Sequence, residues 1–231
     1  MVNLNGSIRC ILCHLPLAVN CHGICSYCLK QIPIIPNSCL NCALPTVDNT
    51  VCHSCRKKNL PWQIMMAVGE YNQPLKRLVH QLKFNGRIEL AHALARLLLL
   101  RWLTFRHQFG IAKPDLVLPV PLFFLRQWQR GFNQAAILAK LLAGWLNCDC
   151  PSQYLLRHQA TPAQKMLSAA QRRQNLIGTF ICRNILHQKR VLLVDDVVTT
   201  GSTVEEICHT LKRNKAGEIQ IICLCRTLSL H

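Results

Sequence analysis

Residues 191–204, VLLVDDVVTTGSTV, determine how the rest of the chain is interpreted. The apolar run 191–194 predicts a buried strand, and Asp195 and Asp196 stand at its end. The loop Thr199–Thr203 offers successive backbone N–H groups and hydroxyls, and it begins a helical pattern whose N-terminus is electropositive. We therefore interpret this loop as a cradle for an anion. The alternative is a well-capped helix after a strand, with two carboxylates that only cap or face solvent.

Two carboxylates beside an anion site need an explanation, because they repel phosphate. Asp195 and Asp196 suit sugar hydroxyls, which donate hydrogen bonds to them, or a Mg²⁺ ion carried on a second phosphoryl group. A ligand with a phosphate at one end, hydroxyls in the middle and a metal-bound diphosphate meets both demands. 5-Phosphoribosyl 1-diphosphate (PRPP) is such a molecule.

The chain around this motif alternates between two periodicities. Strand-like runs occur at 64–71, 115–122, 178–182, 191–194 and 219–226, and helical periodicity occurs at 74–84, 88–105, 132–146 and 203–214. The alternation predicts an α/β fold with a mostly parallel sheet covered by helices on both faces. Ligands of such sheets bind at the carboxyl ends of strands, where Asp195 and Asp196 are placed.

The front of the chain is rich in cysteine. Eight cysteines form four Cys-x-x-Cys pairs, which are Cys10/Cys13, Cys25/Cys28, Cys39/Cys42 and Cys52/Cys55. Two such turns complete a tetrahedral shell of four thiolates for Zn²⁺, and closed sites of this kind are structural. Consecutive pairing gives two zinc sites, but the spacing also permits interleaved pairing or one zinc ion. Redox-active dithiols and ordinary buried thiols are the alternatives to zinc.

The patterns divide the chain into a Cys-rich zinc module, residues 1–60, and an α/β domain, residues 61–231. The boundary is placed at 59–63, where the cysteine pairs stop and periodic patterns begin. So short a module has few large apolar residues, and metal would supply its folding free energy. Cys21 is left over, and His14, His22 and His53 are interpreted as surface residues although they are able to bind metal.

The charge of the chain favours anionic partners. Its net charge is +17, and residues 113–190 contribute +9, from 11 basic and 2 acidic residues. This field attracts nucleic acid or a phosphorylated metabolite, unless the protein is merely basic. The apolar run 94–103 contains two arginines and is shorter than the roughly 20 residues of a membrane span. We therefore expect a cytoplasmic protein without membrane insertion and with reduced thiols.

The segment LLVDDVVTTGST (192–203) resembles the PRPP-binding motif of type I phosphoribosyltransferases. The cysteine pairs and the segments PVPL (119–122), RGFNQA (130–135) and TPAQKMLSAAQRRQN (161–175) resemble the ComF family. GICSYC (23–28), LPWQ (60–63), HQLKF (80–84) and CLCRTL (223–228) are most similar to its GntX branch, which is linked to the utilisation of external DNA. The resemblance covers residues 10–228. It implies a type I phosphoribosyltransferase-like parallel sheet flanked by helices, with a small N-terminal zinc module.

The resemblance also implies roles for individual residues. It assigns Asp195 and Asp196 to ribose hydroxyls and Mg²⁺, and it assigns the 5′-phosphate to Thr199, Thr200, Gly201, Ser202 and Thr203. The segment Pro119–Leu122, with Pro119 and Val120 as its candidate binding residues, stands where such enzymes place their diphosphate loop, and 157–175 stands where they carry a flexible hood. Four arginines are either closing groups over the diphosphate or solvated surface residues: Arg126, Arg130, Arg172 and Arg173. Asn133 and Gln134 are interpreted as helix caps or polar anchors.

Two functions from different classes fit these residues. The first is a PRPP-using enzyme with Mg²⁺-dependent phosphoribosyl transfer to an unknown acceptor. Thr199 stands where 6-oxopurine-salvage relatives carry an acidic residue, which argues against simple purine salvage. The second is a non-catalytic protein that handles single-stranded DNA and uses the cradle as a PRPP sensor or a phosphate-backbone contact. In either function, DNA-uptake proteins are candidate partners. A zinc adaptor with a vestigial α/β domain is disfavoured by the intact loop.

Overall fold

The computed structural model of the protein describes residues 9–18, 23–84, 86–122, 131–159 and 175–228. Its main sheet consists of β1 (Ile64–Glu70), β2 (Leu116–Pro119), β5 (Val191–Val198) and β6 (Ile219–Arg226). The strands are parallel and lie in the order β1-β6-β5-β2. The central strand β6 is buried at all eight positions, as expected for a strand covered on both faces. The predicted α/β fold is confirmed.

Helices cover both faces of the sheet. The helices are α1 (Ser26–Lys30), α2 (His53–Arg56), α3 (Leu75–Phe84), α4 (Leu90–Phe109), α5 (Gln134–Leu146) and α6 (Ser202–Arg213). On one face, α3, α4 and α5 share a buried apolar cluster with Leu192 and Val194 of β5. On the other face, α6 shares a second cluster with Leu193 of β5. The four helices predicted after residue 61 are confirmed, and α4 extends beyond its predicted end to Phe109.

Strand β5 is longer than the apolar run 191–194 predicts. Its pairing with β6 continues through Asp195, which is in register with Cys223, to Val198, which is in register with Arg226. The prediction that the strand ends at residue 194 was therefore wrong. Asp195 and Asp196 lie inside the strand near its carboxyl end, and consecutive strand residues point to opposite faces of the sheet.

Two further strands form a small antiparallel sheet, with β3 (Leu155–Arg157) paired to β4 (Phe180–Cys182). The run 178–182 was predicted as a strand, but it pairs outside the main parallel sheet. Strand β2 ends at Pro119 rather than at residue 122, because Pro121 lacks the N–H group that a continued ladder requires. Most of the segment 157–175 assigned to a hood, from residue 160 to 174, lies outside the described residues.

The cysteine-rich front end contributes to both apolar cores. Cys10 and Cys28 belong to the cluster on the α4 side, whereas Ile35 and Ala43 belong to the cluster on the α6 side. The front end is also hydrogen-bonded to β1, since the Met65 N–H donates to the Leu40 carbonyl at 2.7 Å. The division into folding units at residue 60 remains a prediction, and the two parts share their buried surfaces.

Within the described ranges, no helix combines the length and the apolar character that crossing a membrane requires.

Candidate functional site

The loop between β5 and α6 lines a cavity at the carboxyl end of the sheet. Its lining consists of Asp195 and residues 197–204, so it contains every residue of the predicted cradle. Ser202, Thr203 and Val204 form the first turn of α6, where N–H groups have no carbonyl partner within the helix. Together with the hydroxyls of the loop, these N–H groups give the cavity the properties of an anion site.

Gly201 gives the cradle its shape. It caps α6 with a φ of 87°, a left-handed conformation that side chains with a Cβ rarely adopt. A Cβ added at this position would meet no atom within 4 Å, so the backbone angle and not crowding accounts for the glycine. Beside it, the hydroxyl oxygens of Thr200 and Ser202 lie 3.0 Å apart, which holds the turn closed.

The adjacent carboxylates of Asp195 and Asp196 lie in different surroundings. Asp195 lines the cradle cavity, whereas Asp196 faces the α3 side of the sheet and is only 7% exposed. There the Lys83 ammonium lies 2.9 Å from one carboxylate oxygen of Asp196 and 3.2 Å from the other. The Asp196 N–H donates to the Asp195 carboxylate at 2.8 Å. The sequence-predicted pair is thus brought to one edge of the sheet but divided between two faces.

The surroundings of Asp195 disfavour its charge. Burial raises the pKa of Asp195, and the neighbouring Asp196 carboxylate raises it further, while Lys83 and the Asp196 N–H act in the opposite direction. A carboxyl group with a raised pKa gains stabilisation from a cation or from donor hydroxyls that arrive with a ligand.

The sequence analysis gave Lys83 no role in the site. Its position in the site depends on the end of α3, where the Lys83 carbonyl accepts a hydrogen bond from the buried Gln134 side chain at 3.4 Å. The available sequence signal was a glutamine directly after the asparagine cap of a helix. Asn133 and Gln134 are both polar anchors, and Asn133 also caps α5 by accepting from the Ala135 N–H at 3.0 Å.

The segment predicted to hold a diphosphate lies beside β5. Pro119 ends β2, and the Val120 N–H donates to the Val194 carbonyl at 2.9 Å. The Asn133 side chain donates to the Val120 carbonyl at 3.1 Å and fixes the segment to the start of α5. Pro119 and Val120 are therefore at the same edge of the sheet as the cradle. The four arginines assigned to the diphosphate lie outside the described residues: Arg126, Arg130, Arg172 and Arg173.

The paired cysteines form two groups with the geometry of metal sites. The first Cys group is Cys10, Cys13, Cys25 and Cys28, and the second Cys group is Cys39, Cys42, Cys52 and Cys55. Within each group all the sulfurs lie within 4.8 Å of one another. The Cys13–Cys25 and Cys42–Cys52 sulfur distances are 3.7 Å and 3.9 Å. A tetrahedron with zinc–sulfur bonds of about 2.3 Å has edges of about 3.8 Å, so both groups fit Zn²⁺.

Local hydrogen bonds favour the thiolate of one cysteine in each group, Cys10 and Cys39. The Cys10 sulfur accepts from the Cys25 N–H at 3.4 Å, and the Cys39 sulfur accepts from the Cys52 N–H at 3.2 Å. The Cys42 thiol, followed by backbone N–H groups, lowers the pKa of Cys39 although burial opposes the shift. The geometry matches consecutive pairing and not the interleaved alternative. Among the described residues, neither group includes a histidine, and Cys21 and His22 lie outside that part of the chain.

A second basic residue that the sequence analysis missed contacts the cradle. Arg226, the last residue of β6, is 5% exposed, and its guanidinium donates to the carbonyls of Val198 at 3.0 Å and of Thr199. Its position follows from the register of β6 with β5, which places Arg226 opposite Val198.

The chain is similar to a known protein family, to curated proteins and to solved structures. Residues 128–230 match the family described as Phosphoribosyl transferase domain. The chain is 45% identical over 220 residues to DNA utilization protein YhgH from Escherichia coli O157:H7, covering 95% of this chain and 97% of that relative. It is 37% identical over 224 residues to Competence protein F from Haemophilus influenzae, with the same two coverages of 95% and 97%. A solved purine phosphoribosyltransferase from Pyrococcus horikoshii aligns with 58% of this chain and 72% of its own, at 20% identity and a TM-score of 0.37.

Proposed function

The chain belongs to the family of DNA utilization protein YhgH and Competence protein F, and we propose that it binds PRPP with Mg²⁺ at the carboxyl end of β5. The observation that carries the proposal is that Asp195 and the cradle line the same cavity. An anion site that includes a carboxylate suits a ligand with a phosphate and, a short distance away, hydroxyls or a bound cation. PRPP has this arrangement.

Each part of the site has a role in this proposal. The cradle, Thr199–Thr203, binds the 5′-phosphate through its N–H groups, its hydroxyls and the N-terminus of α6. Asp195 accepts hydrogen bonds from the ribose hydroxyls. Lys83 neutralises Asp196, which keeps the net negative charge of the edge low enough for a phosphorylated ligand to approach.

Mg²⁺, when bound with PRPP, would neutralise charge on the diphosphate. Asp195 and Asp196 are the residues that would hold it, directly or through water, since carboxylates and water are its usual ligands. Pro119 and Val120 lie next to β5, at the edge of the sheet where the diphosphate would bind.

Phosphoribosyl transfer is the enzymatic form of the proposal. A nucleophile on the acceptor forms a bond to the anomeric carbon as the bond to the diphosphate oxygen breaks, and the diphosphate leaves with the electron pair. The residues of this chain would position the two reactants and stabilise the leaving charge. The exposed Thr199 cannot take up a base proton at neutral pH, which argues against a 6-oxopurine as the acceptor.

The names of the relatives extend the proposal to a process, which is the uptake or utilisation of external DNA. A second candidate function, the handling of single-stranded DNA, is favoured by the +9 charge of residues 113–190. A cytoplasmic location belongs to the proposal because the two Cys groups require reduced thiols to hold structural Zn²⁺.

The first experiment is a calorimetric titration of the zinc-loaded full-length protein with PRPP, with and without Mg²⁺. We expect micromolar binding with Mg²⁺ and binding weaker by about tenfold or more without it. Asp195→Asn should lower the affinity by about tenfold, since it removes a charge-assisted contact. The matched control is Asp115→Asn, because Asp115 pairs with Arg190 away from the cradle. This variant should bind PRPP normally.

Two readouts distinguish the forms of this proposal. Release of diphosphate in the presence of bases or nucleotides as acceptors would establish transfer, whereas binding without release would favour a sensor. For the second candidate, single-stranded DNA should bind with an affinity that falls steeply with salt. An absence of heat at millimolar PRPP would contradict the PRPP proposal.

A further inference from the structure

Arg226 joins the cradle to the second Cys group. Its Nε donates to the Cys42 carbonyl at 2.8 Å, and its Nη1 donates to the carbonyls of Val198 and Thr199 at the start of the cradle. Cys42 is a member of the second Cys group, and 184 residues separate it from Arg226. One side chain therefore contacts both a metal-site turn and the loop that begins the anion site.

The contact at Cys42 is part of a larger attachment. The carbonyls of Leu40, Asn41 and Cys42 each accept a hydrogen bond from the α/β part. Their donors are the Met65 N–H at 2.7 Å, the Trp62 indole N–H at 2.8 Å and Arg226 at 2.8 Å. On its other side the same turn closes the second Cys group, where the Asn41 N–H donates to the Cys39 sulfur at 3.4 Å. The turn is thus held between the Cys group and the sheet.

The contact at the cradle controls the direction of its peptides. Across a trans peptide the carbonyl and the following N–H point in opposite directions. Because Arg226 draws the carbonyls of Val198 and Thr199 toward itself, the N–H groups of Thr199 and Thr200 point away from it and are available to an anion. The guanidinium suits this role, since its donors are fixed in one plane.

The charge of Arg226 needs a partner, because a buried cation is costly without one. The ion pairs of the described residues do not include Arg226, and its hydrogen-bond acceptors are neutral carbonyls. Four thiolates around one Zn²⁺ carry a net charge of −2. The loaded second Cys group therefore supplies nearby negative charge that stabilises Arg226 in its buried position.

We propose that Arg226 is a positioning residue that couples the second Cys group to the cradle, so that the cradle holds its binding shape when that group carries Zn²⁺. The coupling rests on the proposed function for the identity of the ligand. Linkage makes it reciprocal, so PRPP bound in the cradle should raise the zinc affinity of the second Cys group and leave that of the first Cys group unchanged. We expect the higher affinity to show as slower zinc loss.

The test measures zinc release into a chromogenic chelator together with PRPP affinity. Arg226→Met should lower PRPP affinity by about tenfold, as expected for lost hydrogen bonds from a charged donor, and should speed zinc release from the second Cys group. PRPP should slow that release severalfold in the unsubstituted protein and have no effect in Arg226→Met. In Cys13→Ser the second Cys group is complete and the first Cys group lacks a ligand. This variant therefore shows which of the two zinc ions responds to PRPP.

Arg101→Met is the matched control. Arg101 is another partly buried arginine, and it donates at 3.4 Å to the Ile35 carbonyl of the front end without contact to the cradle. It should change neither PRPP affinity nor the effect of PRPP on zinc release. If Arg226→Met does not fold, Arg226→Lys takes its place, because it keeps the charge but cannot reach the same carbonyls together.

The outcomes separate this proposal from the proposed function. PRPP binding that is equal in Arg226→Met and unsubstituted protein, with zinc release unaffected by PRPP, would overturn the coupling and leave the proposed function standing. If the unsubstituted protein binds no PRPP, the proposed function fails, and zinc release alone decides the coupling. Faster release from Arg226→Met than from Arg101→Met would then support the contact between Arg226 and the second Cys group, and equal rates would refute it.

Discussion

The two Cys groups have the same ligand chemistry but different attachments to the α/β part. The first Cys group lies against α4 through apolar contacts, and a Cβ added at Gly23 would lie only 2.7 Å from the Ala93 Cβ. The turn of the second Cys group is instead held by hydrogen bonds, including the one from Arg226 that continues to the cradle. The same sequence motif thus has one attachment made by close packing and another made by directional contacts.

This difference has a physical consequence. Apolar contact is non-directional, so a small shift of the first Cys group changes stability but transmits little orientation. Hydrogen bonds weaken steeply with angle, so a shift at Cys42 would reorient the peptides that Arg226 contacts. We therefore expect the first Cys group to contribute to folding and the second Cys group to contribute to folding and to ligand affinity.

The largest expected effect comes from removing one ligand of each group. Cys10 and Cys39 are both fully buried and occupy the same place in their groups. Cys10→Ser and Cys39→Ser should each lose one zinc ion per chain and melt at a lower temperature, because metal binding contributes several kcal/mol or more to folding. Only Cys39→Ser should also weaken PRPP binding, by about tenfold or more. Metal analysis, thermal unfolding and calorimetry below the melting temperature measure these three changes.

Equal losses of PRPP affinity in the two serine variants would erase the distinction between the groups. A Cys39→Ser protein that retains full zinc content would instead show that Cys39 is not a ligand.

A smaller effect is expected from the cradle itself. Gly201→Ala introduces a Cβ at a φ of 87°, and the backbone strain should lower the free energy of unfolding by about 1–2 kcal/mol. If the loop instead shifts to relieve the strain, it should bind PRPP less tightly. Gly144→Ala in α5 is the matched control, since an added Cβ there also meets no atom within 4 Å and its φ is not positive. It should stabilise the protein by up to about 1 kcal/mol and leave binding unchanged.

Gly201→Ala also tests whether the two Cys groups differ in their connection to the cradle. A distorted cradle should alter zinc release from the second Cys group and not from the first. If Gly201→Ala alters both rates equally, the effect is general destabilisation and not a specific connection.

Local patterns were sufficient to predict most of the fold and the separate parts of the site. Apolar runs predicted β1, β5 and β6, helical spacing predicted α3 to α6, and the cysteine spacing predicted the two metal-site geometries. The three-residue strand β3 was missed, because so short a run has no detectable period. The antiparallel partner of β4 could not be identified for the same reason.

The contacts between the parts were not predicted, because they join residues far apart in sequence. Lys83 meets Asp196 across 113 residues and Arg226 meets Cys42 across 184, and both depend on strand register and helix ends. The opposite directions of Asp195 and Asp196 follow from the strand period. They were missed because the strand was predicted to end at residue 194, before either carboxylate, whereas it continues to Val198.

The smallest expected effect lies away from the cradle, where Arg190 holds the Asp115 carboxylate. The Arg190 side chain and N–H lower the pKa of Asp115 to about 2. A lowered pKa contributes stability above the unfolded value of about 3.9, and that stability is lost as the pH falls toward 2. Because the pair is exposed, Asp115→Asn should lower the melting temperature by only about 1–2 °C at pH 7. At pH 2 the difference should be much smaller, and at neither pH should the variant change zinc release from the two Cys groups. A change in release from the second Cys group alone would mean that its connection to the sheet extends well beyond Arg226.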